Sequence, residues 1–449
     1  MTGAAPPGAA GLVIAAPASG SGKTLVTLGL LRHLAAAGRR VASAKVGPDY
    51  IDPAFHAAAS GRPCRNLDPW AMAAGTLAAQ VAAAAAGAEL VVCEGVMGLF
   101  DGAVGERGST ADLARRLGWP VVLVVDARAQ AASAAALVRG FATHRADLAV
   151  AGVVFNRVGG DRHGDILRDA MAADLPHIPV LGCLPRDGDL ALPSRHLGLV
   201  QALEHPDLET FLDRAAALVG RHLDVDALVA LALPTPSTAA AAPPPVPPPL
   251  PPLGQRIAVA RDAAFAFAYP AVLDGWHRAG AEVLPFAPLD GQAPDPAADA
   301  VYLPGGYPEL WAGRLAANGA FLAGLAAAAG RGAAVFGECG GYMVLGRGLV
   351  DGDGARHAMA GLLALETAFT RPGLRLGYRR ARLLAESPLG PAGAAFRGHE
   401  FHYATVTAEG PGAPLFACAD AAGRDLGTMG LRAGPVLGSF VHLIDRDGA

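Results

Sequence analysis

Apolar positions in the first half of the chain gather into short, nearly unbroken runs instead of alternating with polar ones. Gly11–Ala15, Arg40–Val46, Glu89–Cys93, Pro120–Asp126, Ala149–Arg157 and Pro179–Pro185 are such runs, and stretches of helical length lie between them, among them one from Leu25 to Leu31 and an alanine-rich one from Ala71 to Ala86. A strand that is apolar on both faces is covered on both faces. The pattern therefore predicts an α/β domain with a parallel sheet between two layers of helices. The second half restarts in the same style, with strands over Arg256–Ala260, Glu282–Phe286, Asp299–Gly306 and Gly332–Gly337 and a helix over Tyr269–Ala279. Between the halves, PTPSTAAAAPPPVPPPLPP (234–252) holds ten prolines in nineteen positions. Such a segment joins neither a helix nor a central strand and is predicted to act as a semi-rigid spacer. The expected organisation is a domain over 1–233, a Pro/Ala-rich linker over 234–253 and a second domain over 254–449, with no internal repeat relating the two.

Chemistry enters at the end of the first strand. Ala16-Pro-Ala-Ser-Gly-Ser-Gly-Lys-Thr24 lies between that strand and the first helix. Small residues let backbone N–H groups of Ser19, Gly20, Ser21 and Gly22 close around phosphate oxygens. Lys23 adds a point charge, Thr24 a hydroxyl suited to Mg²⁺, and the helix N-terminus a positive potential. ATP with Mg²⁺ is the expected ligand. The usual loop has glycine five positions before Gly22, where this chain has Pro17. Lys23 and Lys45 are the only lysines among 36 basic residues, which marks both as positions where a compact ammonium is retained although arginine is the default.

Gly47-Pro-Asp-Tyr-Ile-Asp-Pro-Ala-Phe-His56 follows the second strand, at the carboxyl end where open α/β sheets hold ligands. Asp49, Tyr50 and Asp52 there serve metal coordination, recognition of a polar substrate, or capping of the next helix. Glu94, at the tip of an apolar strand, is the first metal candidate, and Asp101 the second; Asp49 and Thr24 complete the candidate metal set. Asn156, at another strand end, either reads the adenine edge or is a polar turn residue.

Net charge is −4, which gives no electrostatic footprint for nucleic acid or an anionic membrane, and no segment is convincing as a membrane span. A cytoplasmic enzyme is the default. Five scattered cysteines signal neither a disulfide framework nor a zinc site, so the question is whether one is a nucleophile. Cys339 qualifies, in the strand-turn-helix context Phe336-Gly-Glu-Cys-Gly-Gly-Tyr342. Flanking glycines permit the strained turn, and the helix N-terminus is expected to lower the thiol pKa. Candidate bases are His399, His402 and His442, with His442 favoured because it closes an apolar run near the C-terminus. Backbone N–H groups of the Gly305-Gly306 turn are candidate oxyanion donors.

With the phosphate loop, Gly-Pro-Asp-Tyr-Ile-Asp-Pro and Gly-Glu-Cys-Gly-Gly in this order, the chain resembles the cobyrinic and hydrogenobyrinic acid a,c-diamide synthases over nearly its whole length. The resemblance implies a dethiobiotin-synthetase-like ATPase domain followed by a class I, flavodoxin-like glutamine amidotransferase domain. It implies that glutamine is hydrolysed at Cys339 through a thioester with His442 as partner, and that ammonia displaces phosphate from an acyl phosphate of a corrinoid carboxylate. Glu94 and Asp101 then sit near the metal and the reacting carboxylate, and Asp49, Tyr50 and Asp52 handle substrate. The implied ligands are the macrocycle, L-glutamine, ATP and Mg²⁺, and the analogy admits a homodimer. Classical members carry His-x-Glu; here Leu443 and Ile444 follow His442, and Asp445 is the nearest carboxylate in line to orient it. Nickel-sirohydrochlorin a,c-diamide synthase and cobyric acid synthase are the nearest rivals. A partition-type ATPase switch is the rival from another class; it predicts a basic face or a membrane-binding tail, and neither is visible.

Overall fold

The computed structural model describes residues 9–190, 194–195, 198–235 and 247–448. They divide into two compact units, one of residues 1–70 and 77–244, the other of 71–76 and 245–449.

In the first unit the elements run β1 (Ala10–Ala15), α1 (Lys23–Ala36), β2 (Val41–Val46), α2 (Ile51–Ser60), β3 (Arg65–Leu67), α3 (Ala74–Ala85), β4 (Leu90–Glu94), α4 (Thr110–Leu117), β5 (Val121–Asp126), α5 (Ser133–Thr143), β6 (Val150–Val158), α6 (Asp161–Asp174), β7 (Val180–Pro185) and α7 (Leu208–His222). The strands lie in the order β3-β2-β4-β1-β5-β6-β7. All of these pairings are parallel, as the unbroken apolar runs required. Leu12, Val13, Ile14, Val91, Val92, Val122 and Val124 are wholly buried, so the sheet's centre is the core and water is excluded from both faces. β1 lies between β4 and β5, and its carboxyl end delivers the phosphate loop beside the end of β4. Leu233–Pro234 adds a short antiparallel pairing to β1.

The second unit is built on one ten-stranded sheet. Its strands are β8 (Arg256–Ala260), β9 (Glu282–Phe286), β10 (Ala300–Leu303), β11 (Ala334–Glu338), β12 (Arg375–Leu383), β13 (Ala395–His402), β14 (Ala413–Asp420), β15 (Asp425–Ala433), β16 (Val436–Ser439) and β17 (Val441–Arg446). Its helices include α8 (Pro270–Arg278) and α9 (Gly340–Leu345). The order is β9-β8-β10-β11-β16-β15-β14-β12-β13-β17. The first five are parallel, the flavodoxin-like half the sequence predicts. The remaining strands extend the sheet antiparallel, a half whose mixed polar and apolar residues gave no unbroken runs to read.

Of the proline-rich spacer, residues 236–246 lie outside the described residues. Its far end is not a spacer: Leu250 is buried, Pro248 and Pro249 stand beside Gly275, and Trp276 Nε1 donates to Pro251 O at 3.0 Å. Proline rings are apolar bodies, and here they cover a helix.

Candidate active sites

The phosphate loop depends on two left-handed glycines, Gly20 (φ 78°) and Gly22 (φ 98°), the second capping α1. Gly22 is doubly constrained, because a Cβ there would stand 2.0 Å from Asn156 Nδ2. Ser21 Oγ donates to Ala18 O at 2.9 Å. Asn156 donates from Nδ2 to Ser21 O at 2.9 Å and accepts the Arg157 N–H on Oδ1, so its amide braces the loop from the end of β6. Both of its polar atoms thus have protein partners. Arg157, held at a positive φ of 59°, donates to Gly20 O at 2.7 Å and pairs with Asp126 at 2.6 Å. An open depression of about 430 Å³ adjoins it, lined by Arg128, Arg157, Gly160, His163 and Arg186.

Opposite the loop lies a knot of buried charge. Glu94 is wholly buried and accepts from Thr24 Oγ1 (2.7 Å), Lys45 Nζ (3.2 Å) and His56 Nε2 (2.6 Å). Burial would raise its carboxyl, but Lys45 and His56 outweigh that and hold it far below the usual range. Burial likewise opposes the charge on Lys45, and Asp52, Glu94 and Asp49 overcome it, so the ammonium persists. Lys45 Nζ lies 2.6 Å from Asp52. His56, with Cys64 Sγ at 3.5 Å on its other nitrogen, is raised to about 10: burial opposes the charge, and Cys64 and Glu94 sustain it. Asp52 is pushed up to about 6 by burial and by Asp49. Lys23 is lowered by burial, and its Nζ donates to Met97 O at 2.7 Å just beyond β4.

Asp49 Oδ1 accepts the N–H groups of Ile51 and Asp52, so it starts α2 in the manner of a capping aspartate. Tyr50 is the residue before that helix. Asp101, exposed, accepts from Gly98 N at 2.8 Å. No cluster of three or more His, Cys, Asp or Glu side chains able to hold a metal occurs among the described residues. Thr24 and Glu94 do offer hard oxygens at the loop, the donor type that suits Mg²⁺ held by one or two protein groups plus phosphates.

In the second unit, β11 runs into Cys339 at φ 48° and ψ −105°, a conformation a non-glycine residue adopts only when its surroundings enforce it. α9 begins at the next residue. The close packing that enforces the turn is visible at Gly341, where a Cβ would stand 2.0 Å from Leu303 O. Cys339 and His442 meet at Gly305: the point where its Cβ would be lies 3.3 Å from Cys339 Cβ, 3.2 Å from His442 Nε2 and 2.3 Å from His442 Cε1. Gly306 N lies 3.0 Å from the corresponding point on Gly340, which puts the glycine turn over the start of α9.

The expected lowering of the Cys339 thiol does not occur. Burial pushes it well up, Glu309 adds to the rise, and the Gly340 N–H only partly offsets them. His442 is pushed the other way by burial, with His399 next, so burial opposes charge on both the thiol and the imidazole. Asp445 does not orient His442. Its Oδ2 accepts from Ala73 N at 2.8 Å, and it is also hydrogen-bonded to Thr76. Of the other candidate bases, His402 is engaged by Glu400 at 2.8 Å and His399 by the Tyr269 hydroxyl at 2.8 Å.

Three partners here have roles that the sequence does not disclose. Lys45 was marked by the scarcity of lysine but given no role, His56 was one polar residue in a loop, and Arg157 carried no motif at all.

A phosphate cradle in one unit and a cysteine-histidine pair on a strained turn in the other define a nucleotide-binding, glutamine amidotransferase protein. Residues 12–200 match the CobQ/CobB/MinD/ParA nucleotide binding domain, and residues 256–448 the CobB/CobQ-like glutamine amidotransferase domain. Hydrogenobyrinate a,c-diamide synthase of Sinorhizobium sp is 55% identical over 440 residues, covering 98% of this chain and 99% of that protein. Those of Rhizobium meliloti (strain 1021) and Rhodobacter capsulatus are 55% and 54% identical, each over 97% of this chain and 99% of the relative. The chain belongs to the hydrogenobyrinate a,c-diamide synthase family.

Proposed function

We propose that the protein uses ATP and glutamine to convert the a and c carboxylates of hydrogenobyrinic acid to amides in cobalamin biosynthesis. Full-length similarity to relatives of that name supports the metal-free macrocycle over cobyrinic acid, and over the nickel-sirohydrochlorin and cobyric acid alternatives. The observation that carries the reading is the meeting of Cys339 and His442 at Gly305, in a chain that also holds a phosphate loop.

In the glutaminase reaction His442 accepts the Cys339 proton as sulfur attacks the glutamine amide carbon. The C–N bond breaks, ammonia leaves with that proton, and water hydrolyses the thioester to glutamate and free thiol. N–H groups of the Gly305-Gly306 turn receive the developing oxyanion. Burial that opposes charge on either group suits this sequence, since the thiol needs to ionise only when substrate is in place.

In the synthetase reaction a carboxylate oxygen of the macrocycle attacks the γ-phosphorus of ATP and ADP departs. Ammonia then attacks the acyl carbon, phosphate leaves, and one proton is lost. Activation is required because a carboxylate has no adequate leaving group, and release of ammonia within the same protein raises its effective concentration. Thr24 and Glu94 are the residues that would hold Mg²⁺, which neutralises phosphate charge when bound. Lys23 cradles phosphate, Lys45 pairs with Asp52 and Glu94, Glu94 and Asp101 stand near the metal and the reacting carboxylate, and Asp49, Tyr50 and Asp52 handle the substrate. Arg157 and the depression beside it take the base and ribose of ATP. The protein acts in the cytoplasm on small molecules, and a homodimer accords with the family analogy. Among the described residues no helix is long and apolar enough to cross a membrane.

The test is nitrogen supply. Cys339→Ser is expected to abolish diamide formation from glutamine while ammonium salts at alkaline pH still support it, both read by mass spectrometry of the macrocycle. Glutamine-supported diamide formation by the serine variant would remove Cys339 from the mechanism.

A further inference from the structure

A second imidazole lies flat against the ring of His442. β13 and β17 pair antiparallel with His399 directly opposite His442. The ring centroids are 4.8 Å apart and the planes differ by 8°. Both side chains are buried, at 2% and 1% exposure. His399 is in turn tethered, its Nε2 2.8 Å from the hydroxyl of Tyr269, the residue that caps α8, whose ring meets it edge-on. Meanwhile the carboxylates around the pair have other work. Asp445 holds Ala73, Glu400 accepts from Arg379 and His402, and Glu338 accepts from Tyr302 and from Leu443 N.

We propose that His399, anchored by Tyr269, is a positioning residue for glutamine hydrolysis: its ring fixes the plane of His442 and so the direction in which Nε2 meets Cys339. A ring stacked this closely limits how far the imidazole can turn, a positioning role of the same kind as that of the aspartate in a Ser-His-Asp triad. The inference rests on the glutaminase reading of Cys339 and His442, but not on the identity of the macrocycle.

The arrangement also bears on pH. The ionisable groups facing His442 are His399, His402 and Glu400 from β13, with Cys339 across the glycine turn; Arg379 on β12 acts on His399. His442 must be neutral to take a proton, so activity is lost on its protonation as pH falls. Both burial behind the His399 ring and the neighbouring imidazole disfavour that protonation. Removing the ring therefore moves the acid limb to higher pH.

Glutamine hydrolysis by the full chain, without macrocycle, is measured for His399→Ala, His399→Phe and Tyr269→Phe across pH, with thermal unfolding alongside. His399→Ala is expected to lose roughly 10- to 100-fold in kcat, the cost of a misplaced reacting group, with KM little changed and the acid limb shifted up. His399→Phe, which keeps a flat ring in the stack, is expected to restore most of kcat, and Tyr269→Phe to fall between them. Equal losses in His399→Ala and His399→Phe with an unmoved acid limb would mean a merely structural role and overturn the proposal, as would full kcat in His399→Ala. Should His399→Ala not fold, unchanged kcat and acid limb in Tyr269→Phe overturn it. An unaltered enzyme that hydrolyses glutamine but leaves hydrogenobyrinic acid unchanged refutes the substrate reading alone.

Discussion

At Cys339 two opposite effects of burial produce one working pair. A dry site penalises charge on either group, so it raises a thiol and lowers an imidazole. The space between them is set by a missing side chain. In Gly305→Ala the new Cβ would stand 2.3 Å from His442 Cε1, so the imidazole must move. Glutaminase kcat is expected to fall about 100-fold, since a displacement of about 1 Å can cost that much, while nucleotide affinity is unchanged in titration calorimetry. Retention of full glutaminase activity would mean that the ring does not sit where the turn places it. The neighbouring Glu338 makes a second point about burial, which raises its carboxyl to about 7 against two hydrogen bonds that lower it. Its folded pKa is raised, so its contribution to stability is fully present below the unfolded value and is lost as pH rises through about 7. Glu338→Gln is expected to flatten the decline in thermal midpoint between the unfolded carboxyl range and neutrality. An unchanged slope would place the decline elsewhere.

At the scale of elements, the phosphate loop is held from outside by the end of β6. Asn156→Ala removes one buried hydrogen bond to Ser21 O, worth about 1 kcal/mol, and is expected to raise KM for ATP roughly fivefold with glutamine hydrolysis unaffected. A change confined to adenine-versus-guanine preference would instead assign Asn156 to base reading. The elements themselves were largely legible. Apolar runs marked the parallel strands of both units except the short β3 and β16, and the glycines around Lys23 and Cys339 marked the turns, because backbone needs of that kind are met by few residue types. The antiparallel strands β12 to β15 were not legible, since their exposed positions carry Arg, Gly and Thr among apolar residues without a clean period. Nor was the knot of Glu94, Lys45 and His56. Its members are distant in sequence, and only the parallel pairing of β2 with β4 brings Lys45 opposite Glu94. The direction of the Cys339 shift was not legible either, because burial, which raises the thiol, is a property of the completed fold.

Over the whole molecule, two chemistries that are individually common become a specific activity by sharing one chain. The relatives' similarity extends over both units, covering 98% of this chain in the Sinorhizobium protein. The two half-reactions depend on separate residues, and damage to either should leave the other half measurable. Nitrogen transfer from glutamine to the macrocycle is the step that needs both. The most direct measurement supplies hydrogenobyrinic acid, ATP, Mg²⁺ and glutamine labelled with heavy nitrogen in its side-chain amide, and reads the macrocycle by mass spectrometry. The account requires a diamide carrying label in both new amides, with ATP consumed. Label released as free ammonia beside an unchanged macrocycle would contradict it.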